Sequence, residues 1–170
     1  MQLEPDPDWL VRPDVLAGLR QVAAAGLVYE LLVTRHQLDA AITAVRRLPQ
    51  LRFVLDHAGK PAIANGELDP WRGQLADLAA CPNAAVKLSG LVTEAKPDWT
   101  VEDLRPYADH LLAAFGPGRV LAGSDWPVCL LRAGYDEVVA ATDQLLAGLG
   151  EAERAEVLGG TAARWYEAAI

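Results

Sequence analysis

Two apolar stretches of the sequence end in side chains that can perform acid–base or metal chemistry. Residues 120–128 read VLAGSDWPV, an apolar run that leads into Asp125 ahead of a Trp-Pro pair. Residues 52–61 read RFVLDHAGKP and show the same pattern: an apolar run is followed by Asp56 and His57, and then by a glycine and a proline. An apolar run that is stopped by Gly or Pro is typical of a buried parallel strand. Each stretch therefore predicts reactive groups at the C-terminal end of a strand.

The chemistry of these groups has a functional and a structural interpretation. Asp125 could take a proton from water as the water attacks a carbonyl, or hold a metal-bound hydroxide. His57 could ligate a metal, or polarise a carbonyl as a neutral imidazole. Structurally, Asp125 could cap the turn after it, and His57 could hydrogen-bond the following loop. Asp56 should face the opposite side of its strand from His57, because strand side chains alternate, so we expect it to play a supporting role.

Several other residues are candidate substrate contacts. Lys87 and Ser89 share one face of a third predicted strand, where Lys87 could hold a carboxylate or an oxyanion and Ser89 a hydroxyl group. Their structural alternatives are a snorkelling lysine and a small packing residue. Arg35 could contact substrate or serve a helix cap, and Trp126 could line a pocket mouth or belong to the core. Lys60 is expected in a solvent-exposed Gly-Lys-Pro turn.

The elements that must position these residues follow from hydrophobic periodicity. Apolar runs predict four strands, and stripes at helical spacing predict helices between them, with a loop over residues 91–100. The predicted helices include one that contains Trp71, one over residues 101–115, and one or two final pieces over residues 151–168. The predicted strands are residues 27–33, 51–55, 84–90 and 119–122. Such alternation predicts a parallel sheet with right-handed crossovers. No strand is followed by GxGxxG or a Walker loop, so no phosphate-binding loop is predicted.

The polar residues at the ends of the strands favour a (β/α) barrel, which builds its active site at that edge. A complete barrel needs eight strands and about 250 residues, and this sequence predicts four strands in 170 residues. We therefore expect a single partial domain over residues 1–170, the C-terminal half of a TIM (β/α)8 barrel.

The composition excludes several classes of partner. The 23 acidic residues outnumber the 15 basic ones and give a net charge of −8, which disfavours nucleic acid and anionic membranes. The N-terminus lacks the features of a signal peptide, and no apolar run reaches the roughly 18 to 20 residues of a membrane span. Cys81 and Cys129 have no CxxC spacing and predict two reduced thiols. We expect a cytoplasmic protein.

Four motifs of the sequence resemble a known family. YELLV (29–33), FVLDHAGKP (53–61), VKLSGL (86–91) and GSDWP (123–127) occur in the order and spacing of the amidohydrolase-related (family 2) proteins. Within that family the chain most resembles the L-fuconolactonase and 2-pyrone-4,6-dicarboxylate lactonase branch. The resemblance implies a (β/α)8 barrel hydrolase in which water attacks the ester carbonyl of a small lactone. It also implies that the four strands are the fifth to eighth of that barrel.

The resemblance implies roles for particular residues. His57 and Asp125 match the central histidine and aspartate of the family, and both would be ligands if Zn²⁺ or another divalent metal is bound. A site without a metal is the alternative. The family's first strand carries a His-x-His pair, which the three histidines of this sequence do not form. Half of the expected metal or substrate cradle is therefore absent from these 170 residues.

Three functions follow from these observations as alternatives. The first is a lactone hydrolase acting on an aldonolactone or a dicarboxylate lactone. The second is a catalytically inactive half-barrel, whose uncovered edge strands could be closed by a second copy in a homo-oligomer. The third is a related metal-dependent decarboxylase. The first and third imply a small-molecule substrate.

Overall fold

A four-stranded parallel sheet forms the centre of the protein, which is described here from a computed structural model over residues 2–167. Its strands are β1 (Val28–Leu31), β2 (Arg52–Leu55), β3 (Ala84–Leu88) and β4 (Val120–Ala122), and they pair in chain order. The register places Leu55 beside Val86 and Val86 beside Val120. The predicted parallel sheet is confirmed, with each strand slightly shorter than its apolar run.

Eight helices accompany the sheet in the described part of the chain. They are α1 (Pro13–Ala24), α2 (Leu38–Arg47), α3 (Trp71–Ala79), α4 (Leu91–Glu94), α5 (Val101–Phe115), α6 (Tyr135–Leu145), α7 (Glu151–Ala155) and α8 (Thr161–Tyr166). A π-helical turn, Glu156–Gly160, joins α7 to α8. None of these helices is long and apolar enough to cross a membrane. The final predicted helical piece extends to Ala168, which lies outside the described residues.

The predicted loop over residues 91–100 is wrong in its first four residues, which form α4. Gly90 has φ +64°, a left-handed conformation that glycine adopts at little cost, so the chain turns into a helix soon after β3 ends. Thr93 Oγ1 then donates to the Gly90 carbonyl at 2.7 Å and stabilises this start. The sequence predicts a loop here because the polar residues that follow α4 outweigh its two apolar residues, Leu91 and Val92.

The outer face of the sheet, defined by Leu31, Phe53, Leu55, Val86 and Val120, packs against the helices. All five side chains are fully buried. Successive side chains of a strand point to opposite faces of the sheet, so the residues between these five lie on the opposite face. The main core therefore lies between the sheet and the helices.

The opposite, inner face is covered in part by the C-terminal segment. Its buried residues are Val54, Ala85 and Leu121, and Ala162 and Trp165 of α8 pack against them. Polar contacts reinforce this cover: Arg52 pairs with Glu167 at 2.8 Å, and the Tyr166 hydroxyl donates to Glu30 Oε1 at 2.5 Å. The helix thus crosses the inner face from β4 towards β1 and leaves the carboxyl ends of the strands open.

Candidate active site

A pocket lies on the inner face at the carboxyl ends of the strands. It contains four of the six predicted site residues, namely His57, Lys87, Ser89 and Asp125. Its remaining lining residues are Glu30, Leu121, Ala122, Gly123, Ala162 and Tyr166. Parallel strands bring their carboxyl ends to one edge, which is why residues separated by up to 68 positions in sequence, His57 and Asp125, converge here.

His57 and Asp125 face each other across this pocket. The distance from His57 Nε2 to Asp125 Oδ1 is 3.6 Å, and the side chains are 19% and 11% exposed. This separation is too long for a good hydrogen bond but leaves both atoms directed at the same small space. The other ring nitrogen, Nδ1, lies 2.9 Å from Ser89 Oγ, which fixes the orientation of the ring. A water molecule or a metal ion could contact both free atoms.

His57 sits at the start of an uncommon backbone turn. His57, Ala58 and Lys60 have φ values of 50°, 53° and 56°, and the intervening Gly59 has φ 69°. A left-handed conformation costs a residue with a Cβ roughly 1–2 kcal/mol, so surrounding contacts must hold the turn. The Lys60 amide donates to the His57 carbonyl at 2.8 Å, and the indole Nε1 of Trp71 donates to the Ala58 carbonyl at 2.7 Å.

Asp125 occupies a similar backbone position after β4. Its φ is 57°, and its carbonyl accepts a hydrogen bond from the Cys129 amide at 2.9 Å. Cys129 is fully buried and is a free thiol, as is the buried Cys81, which confirms that the two cysteines are unpaired. Both central side chains are therefore presented by backbone in the left-handed region, which is a common property of functional sites.

Lys87 lies on the inner face between two carboxylates. Its Nζ is 2.8 Å from Glu30 Oε1 and 2.8 Å from Asp56 Oδ1, so the three residues link β1, β3 and the turn that follows β2. Burial disfavours the ammonium, but the paired Asp56 and Glu30 carboxylates outweigh burial and raise the pKa of Lys87 above its usual value. Lys87 therefore remains a cation, and its charge is already neutralised by protein carboxylates.

The expectation that Asp56 faces away from the site is wrong. β2 ends at Leu55, and Asp56 belongs to the turn, so the alternation of strand side chains no longer applies to it. Its buried carboxylate instead reaches Lys87 on the inner face. The supporting role predicted for Asp56 takes the form of this ion pair.

Arg35 and Trp126 lie outside the pocket. Arg35 and His36 line a neighbouring cleft, where Arg35 pairs with Glu67 at 3.6 Å. Trp126 is 63% exposed next to the pocket. Lys60, expected in solvent, has a side chain only 22% exposed and pairs with Glu94 at 3.2 Å, because α4 brings that carboxylate to the turn.

Two polar side chains of the pocket, Glu30 and Tyr166, were not predicted as site residues from the sequence. Glu30 interrupts an otherwise apolar strand, and that isolated charge was a usable signal for a residue with a charged partner. Tyr166 had no such signal, because its place depends on α8 folding over the inner face. Burial works to raise the pKa of Glu30, but the hydrogen bonds from Lys87 and Tyr166 and the charge of Lys87 lower it below the usual value.

The described residues offer part of a metal site. His57 Nε2 and Asp125 Oδ1 are close enough together to be two ligands of one ion, and both are atom types that zinc accepts. Within residues 2–167 no group of three or more His, Cys, Asp or Glu side chains is arranged to hold a metal. Catalytic zinc usually has three protein ligands, so the two residues fit a zinc site without completing it.

Comparisons with known proteins agree with this architecture. A curated relative named L-fucono-1,5-lactonase, from Burkholderia multivorans, is 45% identical over 166 residues, covering 90% of this chain and 55% of the relative. A solved amidohydrolase structure from the same species, with bound zinc, is 42% identical with a TM-score of 0.91; the match covers 99% of this chain and 62% of that chain. A structure of a putative 2-pyrone-4,6-dicarboxylic acid hydrolase from Pseudomonas putida is 25% identical with a TM-score of 0.77, over 96% of this chain and 59% of that chain.

The chain thus spans about half the length of the curated relatives it matches. Its four strands and helices superpose on part of a larger fold, which makes them half of a (β/α)8 barrel. The family model described as Amidohydrolase, Amidohydro_2, matches residues 1–168. On the strength of this match and of the pocket at the strand ends, the chain belongs to the amidohydrolase family.

Proposed function

We propose that the pocket hydrolyses a small, uncharged lactone of the sugar-acid type. The observation that carries the proposal is the pair of His57 Nε2 and Asp125 Oδ1, 3.6 Å apart and directed at one space in a pocket. A carboxylate and an imidazole in this arrangement can activate water and polarise a carbonyl at the same time. The relative named L-fucono-1,5-lactonase supports this class of reaction.

In this mechanism Asp125 accepts a proton from the attacking water while His57 acts on the carbonyl oxygen. Ser89 Oγ can donate to His57 Nδ1, which leaves the proton of the neutral ring on Nε2, facing the pocket. His57 Nε2–H then donates to the oxygen that becomes negative as the tetrahedral intermediate forms. Collapse of the intermediate then breaks the ring C–O bond, and the proton taken up by Asp125 passes to the departing alkoxide oxygen. The product carries a carboxyl group and a free hydroxyl, so the only atoms added are those of one water molecule.

The charge of the pocket favours a neutral substrate over a dicarboxylate. Glu30, Asp56 and Asp125 provide three carboxylates, and Lys87 is the one permanent cation that contacts them among the described residues. In the site without a metal, a dianionic substrate would meet net negative charge at short range, in a partly buried place where such repulsion is poorly screened. Lys87 is the residue that could bind a substrate carboxylate, but its Nζ already pairs with two protein carboxylates, those of Glu30 and Asp56.

Zinc is the cofactor that best fits the available donors. His57 and Asp125 would hold it in part, with Nδ1–H of His57 then donating to Ser89 Oγ. When bound, zinc would polarise the substrate carbonyl and lower the pKa of a bound water. His57 would carry its proton on Nδ1 when Nε2 binds zinc, and on Nε2 when no metal is bound. NMR of the ring nitrogens therefore distinguishes the two states.

The test compares hydrolysis by the unmodified chain and by Asp125→Asn. We expect turnover of L-fucono-1,5-lactone by the unmodified chain, and a loss of about 100-fold or more in kcat for the variant, because general-base catalysis typically contributes 10²–10⁴-fold. Asp98→Asn is the matched control, because Asp98 is exposed in a loop away from the pocket. A full rate in Asp125→Asn would disprove the assigned role.

The same assay separates the remaining alternatives. Preferential hydrolysis of a pyrone dicarboxylate would contradict the proposed neutral substrate. Absence of turnover in the unmodified chain, with and without added Zn²⁺, would favour the inactive half-barrel. We further propose a cytoplasmic location, which the free thiols Cys81 and Cys129 support because reduced cysteines are typical of that compartment.

A further inference from the structure

Trp71 lies in the core behind the His57 turn. Its side chain is 3% exposed at the start of α3, and its indole Nε1 donates to the Ala58 carbonyl at 2.7 Å. Ala58 follows His57 directly in the left-handed turn and is fully buried. The bond therefore connects a helix of the outer layer to the backbone that carries the imidazole.

The turn is held from both sides of the sheet. On the pocket side, Ser89 contacts the His57 ring and Lys87 pairs with Asp56, the residue before His57. On the core side, Trp71 supplies the hydrogen bond to the Ala58 carbonyl. Because left-handed residues with a Cβ revert readily to other conformations, a turn that loses one of these contacts can rotate the attached ring.

The indole is itself fixed by aromatic neighbours. The rings of Tyr107 and His110 each lie 5.3 Å from that of Trp71. Tyr107 also donates to the Glu67 carbonyl at 3.0 Å, and that bond does not involve the His57 turn. His110 Nε2 in turn lies 2.9 Å from the Arg72 carbonyl. Each of the three side chains thus hydrogen-bonds to a backbone carbonyl, and of these three bonds only that of Trp71 reaches the His57 turn.

We propose that Trp71 is a positioning residue for His57: its indole N–H holds the Ala58 carbonyl and thereby aims the imidazole at Asp125. The inference rests on the role proposed for His57 in hydrolysis. Without this bond the Ala58 carbonyl would be buried without a partner, and the turn would move to satisfy it. The His57 ring would then leave its contacts with Ser89 and Asp125.

The test replaces Trp71 by Phe, which removes the donor and keeps an aromatic ring, and uses Tyr107→Phe as the matched control. Ring-nitrogen NMR of the imidazoles, assigned with His57→Gln, reports the tautomer and hydrogen bonding of His57 independently of activity. We expect the His57 signals to change in Trp71→Phe and to stay unchanged in Tyr107→Phe. Unchanged His57 signals in Trp71→Phe would overturn the proposal.

Kinetics provide the second readout. Because a displacement of about 1 Å can cost about 100-fold in rate, we expect kcat to fall up to about 100-fold in Trp71→Phe with KM nearly unchanged. A fall in stability with kcat intact would mean that Trp71 is structural only, and would also overturn the proposal. If neither variant nor parent hydrolyses lactones, the NMR comparison still decides the positioning role while the proposed function fails.

A second substitution covers the case in which Trp71→Phe does not fold. Site-specific incorporation of the benzothiophene isostere of tryptophan at position 71 keeps the ring volume and lacks the N–H donor. The same change in the His57 nitrogen signals is expected there, and its absence in a folded protein would again overturn the proposal.

Discussion

Gly90 lies directly against the His57 side chain. A Cβ at this position would lie 2.8 Å from Cγ and Nδ1 of the imidazole, closer than real Cβ contacts. Gly90 also has φ +64°, so a side chain there would add backbone strain. The absence of a side chain at this one residue therefore allows His57 to reach Ser89.

We predict that Gly90→Ala displaces the imidazole and lowers both stability and activity. The expected loss in the free energy of unfolding exceeds the roughly 1–2 kcal/mol of left-handed strain, because the contact with His57 adds to it. Gly26→Ala is the control, since Gly26 has φ +70° and nothing within 4 Å of a Cβ. Urea unfolding and lactone turnover should separate the two variants; equal losses in both would show that the ring contact is unimportant.

The sequence predicts which residues line the pocket better than it predicts what holds their side chains in place. His57, Lys87, Ser89 and Asp125 were predicted from their places at strand ends, and all four line the pocket. Trp71 is predicted only as part of a helix, because its hydrogen bond to the Ala58 carbonyl, 13 positions away in sequence, leaves no periodic pattern. Arg35 follows a strand as well, but its turn directs it into the neighbouring cleft.

At the scale of elements, Glu30, Lys87 and Asp56 link β1, β3 and the turn after β2 across the inner face. Lys87 on β3 pairs with Glu30 on β1 at 2.8 Å although β2 lies between them. Such a link resists shear between strands in addition to the backbone hydrogen bonds. Its strength depends on pH because one partner is a carboxylate with a lowered pKa.

We predict that this link weakens in acid. The folded pKa of Glu30 lies below the unfolded value of about 4.3, so its stabilising contribution is present above that value and is lost as pH falls through the folded pKa. The measurement is Tm as a function of pH for the parent protein and for Glu30→Gln. Below pH 4, Glu30→Gln should lose less Tm than the parent does. Glu102→Gln is the control, because Glu102 is exposed and, among residues 2–167, its one ion pair is with Arg105. A parallel loss of Tm in the parent and Glu30→Gln would contradict the prediction.

Helix and strand identities were predictable because they follow local periodicity. α5 is predicted over residues 101–115 and observed as Val101–Phe115, beginning at the Thr100 and Asp103 capping pair. α4 was not predicted because it has only four residues and begins at the left-handed Gly90, and a glycine in the sequence does not reveal which conformation it adopts. The π-helical turn was not predicted because it accompanies the packing of α8 on strands that are distant in sequence.

At the scale of the molecule, the half-barrel has two edge strands, β1 and β4, and an inner face occupied by α8. Eight strands around one axis fill that interior with side chains from all of them. We therefore expect α8 in its observed place to hinder closure of the barrel by a second copy, because Ala162 and Trp165 already occupy part of the inner face. We propose that a homo-oligomer of this kind forms only when α8 leaves the inner face.

We predict that the unmodified chain is monomeric at micromolar concentration, and that a chain ending at Gly160 associates. Loss of α8 would uncover Val54, Ala85 and Leu121, and exposed apolar area favours association. Light scattering after size-exclusion chromatography gives the mass, and circular dichroism checks that the truncated chain is folded. Tyr166→Phe is the control that keeps the apolar cover. A dimer of the unmodified chain, or a folded monomer after truncation, would contradict the prediction.

The π-helical turn between α7 and α8 determines which side of α8 meets the sheet. Each residue advances an α-helix by about 100°, and a π-turn contains one residue more than an α-turn. The extra residue within Glu156–Gly160 thus offsets α8 by about a quarter of a revolution from an uninterrupted helix, and Ala162 and Trp165 face the strands in that offset position. In genetic terms, the loss of a single codon in this glycine-containing turn would rephase the helix and turn its apolar side away from the sheet.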